Sequence, residues 1–95
     1  MIELYQAEWC PFSHMVRERL TELGVDYVIR QVEPSGPDRA RLQEATGQDS
    51  IPAVVLDDGT VLGGEAHEII AELDRRFDAW EWEDGHREQA RAHAL

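Results

Sequence analysis

Ile2, Leu4 and Tyr5 are the apolar members of a short opening run, and their pattern predicts a strand over Ile2–Gln6. The spacing then lengthens. Val16, Leu20 and Leu23 recur at helical intervals after Pro11, with Arg17, Glu18, Thr21 and Glu22 on the other face. Pro11 suits the first helical position, where a missing N–H costs nothing, and Gly24 stops the helix. Val25–Val32 is rich in β-branched residues and predicts a second strand. A turn at Pro34-Ser35-Gly36-Pro37 leads to a polar helix over Asp38–Thr46, anchored by Ala40, Leu42 and Ala45 and ended by Gly47. Pro52–Leu56, the turn Asp57-Asp58-Gly59 and Thr60–Leu62 predict a β-hairpin. Gly63-Gly64 opens a last amphipathic helix with Ala66, Ile69, Ile70, Leu73 and Phe77 on one face.

The order β-α-β-α-β-β-α predicts an α/β fold. A strand, helix and strand form a right-handed parallel unit, and the hairpin extends the sheet. The expected product is a four-stranded mixed sheet with helices on both faces. Residues 78–95 form an appendage in which Gly85 is expected to interrupt any helix and His86–Leu95 could form a short one. Trp80 and Trp82 stand among acids there; one reading packs them back on the domain, the other uses them at a dimer contact.

Composition narrows the function. Ninety-five residues, 42% of them hydrophobic, are enough for one modest core. The net charge of −11 argues against nucleic acid and anionic membrane as partners. All 9 basic residues are Arg. The N-terminus lacks the basic and apolar regions of a signal peptide, and no segment approaches a membrane span. One cysteine, Cys10, suits a reducing cytoplasm and forbids an internal disulfide.

That cysteine lies in Trp9-Cys10-Pro11-Phe12-Ser13, between the first strand and the first helix. Unpaired N–H groups and the positive end of the helix dipole favour a thiolate at such a place. Cys10 is therefore the candidate nucleophile. The amides of Phe12 and Ser13 are its expected donors, with the Ser13 hydroxyl as a third.

Cys10-Pro11, Ile51-Pro52 and Gly63-Gly64, in this order and spacing, resemble the glutaredoxin family and equally the N-terminal thioredoxin-like domain of glutathione transferases. Cys10-Pro11-Phe12-Ser13 resembles the C-P-[FY]-[CS] site of glutaredoxins, and His14-Met15-Val16-Arg17 resembles the run-on in omega-type transferases. Glu65-Ala66 with Ile69-Ile70 resembles the Glu-Ser-x-x-Ile pattern of transferases. The resemblance covers residues 1–77 and implies a thioredoxin fold. A complete transferase adds a large helical domain, which the residues after Phe77 are too few to supply.

The resemblance implies a monothiol oxidoreductase with glutathione as co-substrate and no metal. Ser13 stands where dithiol relatives have a second cysteine. Cys10 would take a glutathionyl group from a glutathionylated protein or small disulfide, and a second glutathione would release it. Pro52 is the expected cis-proline, with the Ile51 backbone pairing with glutathione. Gly64, Glu65 and the Ala66 amide are the expected seat of its γ-glutamyl end; charge complementarity at a helix start is the other reading of Glu65. The usual Lys before the cysteine is replaced by Ala7, followed by Glu8, with Arg39 or Arg41 as substitutes from the second helix. Glutathione should bind more weakly than in typical members, or another low-molecular-weight thiol takes its place.

His14 either approaches the sulfur from the first turn or is an exposed helix residue. Trp9 either shields the sulfur, offers a flat face to substrates or packs. Three other functions stay open: an iron–sulfur carrier, a non-catalytic binding module and a stand-alone transferase-like reductase. The expected assembly is a monomer or weak dimer.

Overall fold

A computed structural model describes residues 1–34 and 39–94. The elements are β1 (Ile2–Gln6), α1 (Pro11–Glu22), β2 (Tyr27–Gln31), α2 (Ala40–Thr46), β3 (Ala53–Val55), β4 (Val61–Leu62), α3 (Ala66–Arg76) and α4 (Glu83–Ala92). The sheet order is β2-β1-β3-β4. β1 and β2 are parallel, whereas β1–β3 and β3–β4 are antiparallel. This is the expected mixed four-stranded sheet of a thioredoxin fold.

Strand alternation sends side chains to two cores. Leu4 pairs with Val54, and both join Ile2, Val16, Leu20, Leu62, Ile69 and Leu73 under α1 and α3. Tyr5 pairs with Ala53, and both join Leu42 of α2 on the other face. Full burial of such aliphatic side chains stabilises the fold by roughly 1.5–3 kcal/mol each.

The helix ends follow local chemistry. Past Glu22, Gly24 takes φ +69. Its N–H donates to Thr21 O, and that of Val25 donates to Leu20 O, both at 3.0 Å. This is a Schellman cap. The β3–β4 turn closes with Leu56 N–H on Thr60 O at 2.8 Å, and Gly59 supplies φ +87.

Several elements are shorter than their patterns. β2 loses Val25 and Asp26 at its start, where the Schellman cap uses the Val25 amide, and Val32 at its end. β3 and β4 lose Pro52, Leu56 and Thr60 to the turn and to the bond proline cannot donate. Ser35, Gly36, Pro37 and Asp38 of the expected turn and helix start, and Leu95 of the tail, lie outside the described residues. Glu22, expected on the polar face, is buried at 7% exposure.

Gly85 does not interrupt the tail, since α4 runs through it. α4 has no buried residue, yet it is tied to the body by charge. Arg19 of α1 meets Glu22 at 2.8 Å, Asp74 of α3 at 2.7 Å and Glu83 of α4. Arg87 of α4 adds Glu22 at 3.3 Å and Glu83 at 2.9 Å. Trp80 lies over Gly24 so closely that a Cβ there would stand 2.5 Å from its ring. It also contacts Trp82 and stacks on His86, with ring centroids 5.0 and 5.3 Å away. Trp80 thus packs back, while Trp82 is exposed.

Candidate functional site

The topology gathers three connections at one end of the sheet. β1 runs toward the loop that carries Cys10. The antiparallel pairing Tyr5–Ala53 brings Ile51-Pro52 to that same end. The pairing Val54–Leu62 then sends the chain back there, to Gly63-Gly64 and the start of α3. The expected residues Cys10, Ile51, Pro52, Gly64, Glu65 and Ala66 therefore share an edge, although they come from distant parts of the chain.

Cys10 is the N-cap of α1, with extended backbone and Pro11 at the first helical position. Its Sγ accepts the Ser13 N–H at 3.4 Å. Ser13 is fully buried, and its Oγ accepts the Ala7 N–H at 3.4 Å. The hydroxyl thus links the loop before the cysteine to the turn after it. Burial pushes the Cys10 thiol up, but the Ser13 hydroxyl, the Ser13 and Phe12 amides and the charge of Arg17 outweigh it. The net result lies below an ordinary thiol, which raises the thiolate fraction near neutrality. Both expected amide donors and the hydroxyl contribute.

Cys10 is 6% exposed, whereas Trp9, Phe12 and Met15 are 64, 54 and 43% exposed. Trp9 and Phe12, close to Cys10 in sequence, are thus presented to solvent, and packing in the core is ruled out for Trp9. His14 faces solvent and pairs with Glu18 at 3.2 Å. It is the exposed helix residue of the two readings.

The Ile51–Pro52 peptide bond is cis, and Pro52 is buried. Gly64 adopts φ +93, which admits glycine best. Gly63 lies against the Gln48 side-chain amide, whose Nε2 donates to Ser50 O at 3.1 Å. At the start of α3, the Glu65 N–H donates to the Glu68 carboxylate at 3.1 Å. That donor is already engaged, while Glu65 is exposed and Ala66 is 5% exposed.

Arg39 and Arg41 do not replace the missing Lys. Arg39 donates to Asp49 O and Pro34 O, and Arg41 to Gln31 O, all at 3.1 Å. The cation acting on the sulfur is Arg17. It donates to Gln6 Oε1 and lies 3.5 Å from Glu8. The signal for it was present: Arg17 stands seven residues after Cys10, on the same helix face. The Glu65-x-x-Glu68 spacing likewise matches a reciprocal helix cap. Nothing in the local pattern marks Gln48. Further along α1, a cavity of about 350 Å³ is lined in part by His14, Arg17, Tyr27 and His86.

A cysteine capping a helix beside a cis-proline loop, on a β-α-β-α-β-β-α sheet, defines a thioredoxin-fold thiol site. The glutaredoxin family profile matches residues 2–61, and the chain belongs to that family. Solved structures agree on the fold. A glutathione S-transferase domain-containing protein from Marinobacter aquaeolei is 27% identical, with a TM-score of 0.66 over 82% of this chain and 40% of that one. Glutaredoxin 2 from Salmonella typhimurium, in complex with glutathione, is 20% identical, with a TM-score of 0.66 over 80% of this chain and 34% of that one. A glutathione S-transferase from Methylobacillus flagellatus with glutathione bound is 23% identical, with a TM-score of 0.67 over 82% of this chain and 38% of that one. The chain thus spans well under half the length of these proteins. No curated protein matches the sequence. Among the described residues, no helix is long and apolar enough to cross a membrane.

Proposed function

We propose that the protein is a glutathione-dependent thiol–disulfide oxidoreductase that works through Cys10 alone, in the cytoplasm, as a monomer or weak dimer. The observation that carries this reading is the Cys10 N-cap, whose surroundings favour the thiolate. Family membership and two glutathione-bound structural neighbours support the choice of co-substrate.

In the proposed cycle the Cys10 thiolate attacks the glutathionyl sulfur of a mixed disulfide. The Cys10–S–SG bond forms, the substrate S–S bond breaks, and the substrate leaves as a thiolate that takes a proton from water. A glutathione thiolate then attacks the glutathionyl sulfur held on Cys10. Oxidised glutathione leaves, and the Cys10 thiolate returns. The net reaction takes one glutathione thiol and one mixed disulfide to the free substrate thiol and oxidised glutathione, one disulfide bond being broken and one formed. Ser13 has no sulfur with which to resolve the intermediate internally, so its hydroxyl serves binding of the sulfur instead.

The engaged Glu65 amide favours a second form of the same reading. The Glu68 carboxylate, held by the Glu65 N–H, adds negative charge beside the expected seat of the γ-glutamyl end. A thiol that carries less negative charge at that end would fit better than glutathione.

The test is turnover of an S-glutathionylated peptide with reduced glutathione. Parallel double-reciprocal lines are expected, with activity abolished in Cys10→Ser. Undiminished turnover in Cys10→Ser would refute the proposal.

A further inference from the structure

We propose that Arg17 and Glu8 form a charge pair that adjusts the reactivity of Cys10 on top of its local hydrogen bonds, with Arg17 a positioning residue for the thiolate and Glu8 its counterweight. The inference rests on the reading that Cys10 is the reacting thiol. Helical side chains lean toward the N-terminus, so the long arm of Arg17 runs back along α1. Its contacts show where it ends: at Gln6, the last residue of β1, and at Glu8, within the loop that carries Cys10. Gln6 is fully buried and is braced in turn by its Nε2 on Gln31 Oε1 at 3.3 Å. The Arg17 side chain is 16% exposed, so solvent screens it little, whereas that of Glu8 is 70% exposed. A semi-buried, braced guanidinium thus lies beneath the active loop, and an exposed carboxylate partly offsets it.

The other charged or titratable groups nearby fall into place around this pair. His14 and Glu18 of α1 lie 3.2 Å apart. Tyr27 of β2 feels both partners: its phenol is raised by burial, lowered by Arg17 and raised by Glu8. The fields of Arg17 and Glu8 therefore overlap at a third residue, with opposite signs.

The test is alkylation of Cys10 by iodoacetamide, followed across pH. It requires no glutathione, so its outcome is separate from the choice of co-substrate. Arg17→Gln should raise the thiol pKa and slow alkylation at neutral pH by about threefold or more, a discount on the ~1 unit expected for an opposite charge in direct contact. Arg17→Lys should recover most of the rate. Glu8→Gln, at an exposed position that should fold normally, should lower the pKa and speed alkylation. Opposite shifts in Arg17→Gln and Glu8→Gln support the pair. A Glu8→Gln profile that is unmoved, or shifted upward, overturns it even if Arg17→Gln fails to fold. An Arg17→Gln profile that matches the parent overturns it as well.

Discussion

Replacing Arg19 by Met tests how the tail is held. Methionine keeps the length and helix propensity of the arginine and removes the charge. Arg19 and Glu22 are 15 and 9% exposed at their side chains, so their pair is largely shielded. Removing one partner of a buried pair costs ~3–5 kcal/mol. Here Glu22 retains Arg87 at 3.3 Å, and Asp74, 44% exposed at its side chain, can turn to water. The expected loss is therefore about 2 kcal/mol. At ~4–8 °C per kcal/mol for a domain near this size, the melting temperature should fall by roughly 8–16 °C. Circular dichroism would read the melt. Hydrogen exchange should show α4 opening before the sheet, because α4 buries no side chain of its own. A fall under about 2 °C, well below the range set by the pair, with α4 amides still protected, would refute the view that Arg19 is the hub.

Other perturbations probe separate parts of the account. Gly24→Ala should cost at least ~1 kcal/mol through its φ of +69, and should red-shift Trp80 fluorescence as the new methyl displaces the ring; an unchanged spectrum would contradict the packing. Ser13→Ala should strand the buried Ala7 N–H, costing about 1–3 kcal/mol, and should raise the Cys10 pKa in an alkylation profile. Because the folded-state pKa of Cys10 lies below its unfolded value, its stabilising contribution is fully present above the unfolded pKa of ~8.5. It is lost as pH falls through the folded pKa. The stability difference between the parent and Cys10→Ala, measured by denaturant melts across pH, should therefore grow in the parent's favour with rising pH.

The sheet and its helices were legible because their signals are periodic and local. Leu4, Val16, Leu20 and Leu73 follow the expected faces, and Pro11, Gly24 and Gly59 mark their ends by chemistry that needs no distant partner. Cys10 was legible for the same reason, as a thiol at a helix start. Charges were harder to place. Glu22 reads as solvent-facing until Arg19 and Arg87 arrive from either side, and Arg87 is sixty-five residues away in sequence. Arg39 and Arg41 lie on the element suspected of supplying a cation, yet loop and strand carbonyls hold both. Gly85 shows the limit of a single-residue rule. Its helix penalty of ~1 kcal/mol is small enough to be offset by the Glu83 and Arg87 contacts on either side of it.

The central claim is that Cys10 carries one glutathionyl group and releases it to a second thiol. Intact mass spectrometry after incubation with oxidised glutathione, then with reduced glutathione, tests it most directly. The account predicts one adduct, on Cys10, that disappears promptly on the second addition. Absence of any adduct, with Cys10 still open to iodoacetamide, would contradict it and show that glutathione is the wrong partner for a reactive thiol.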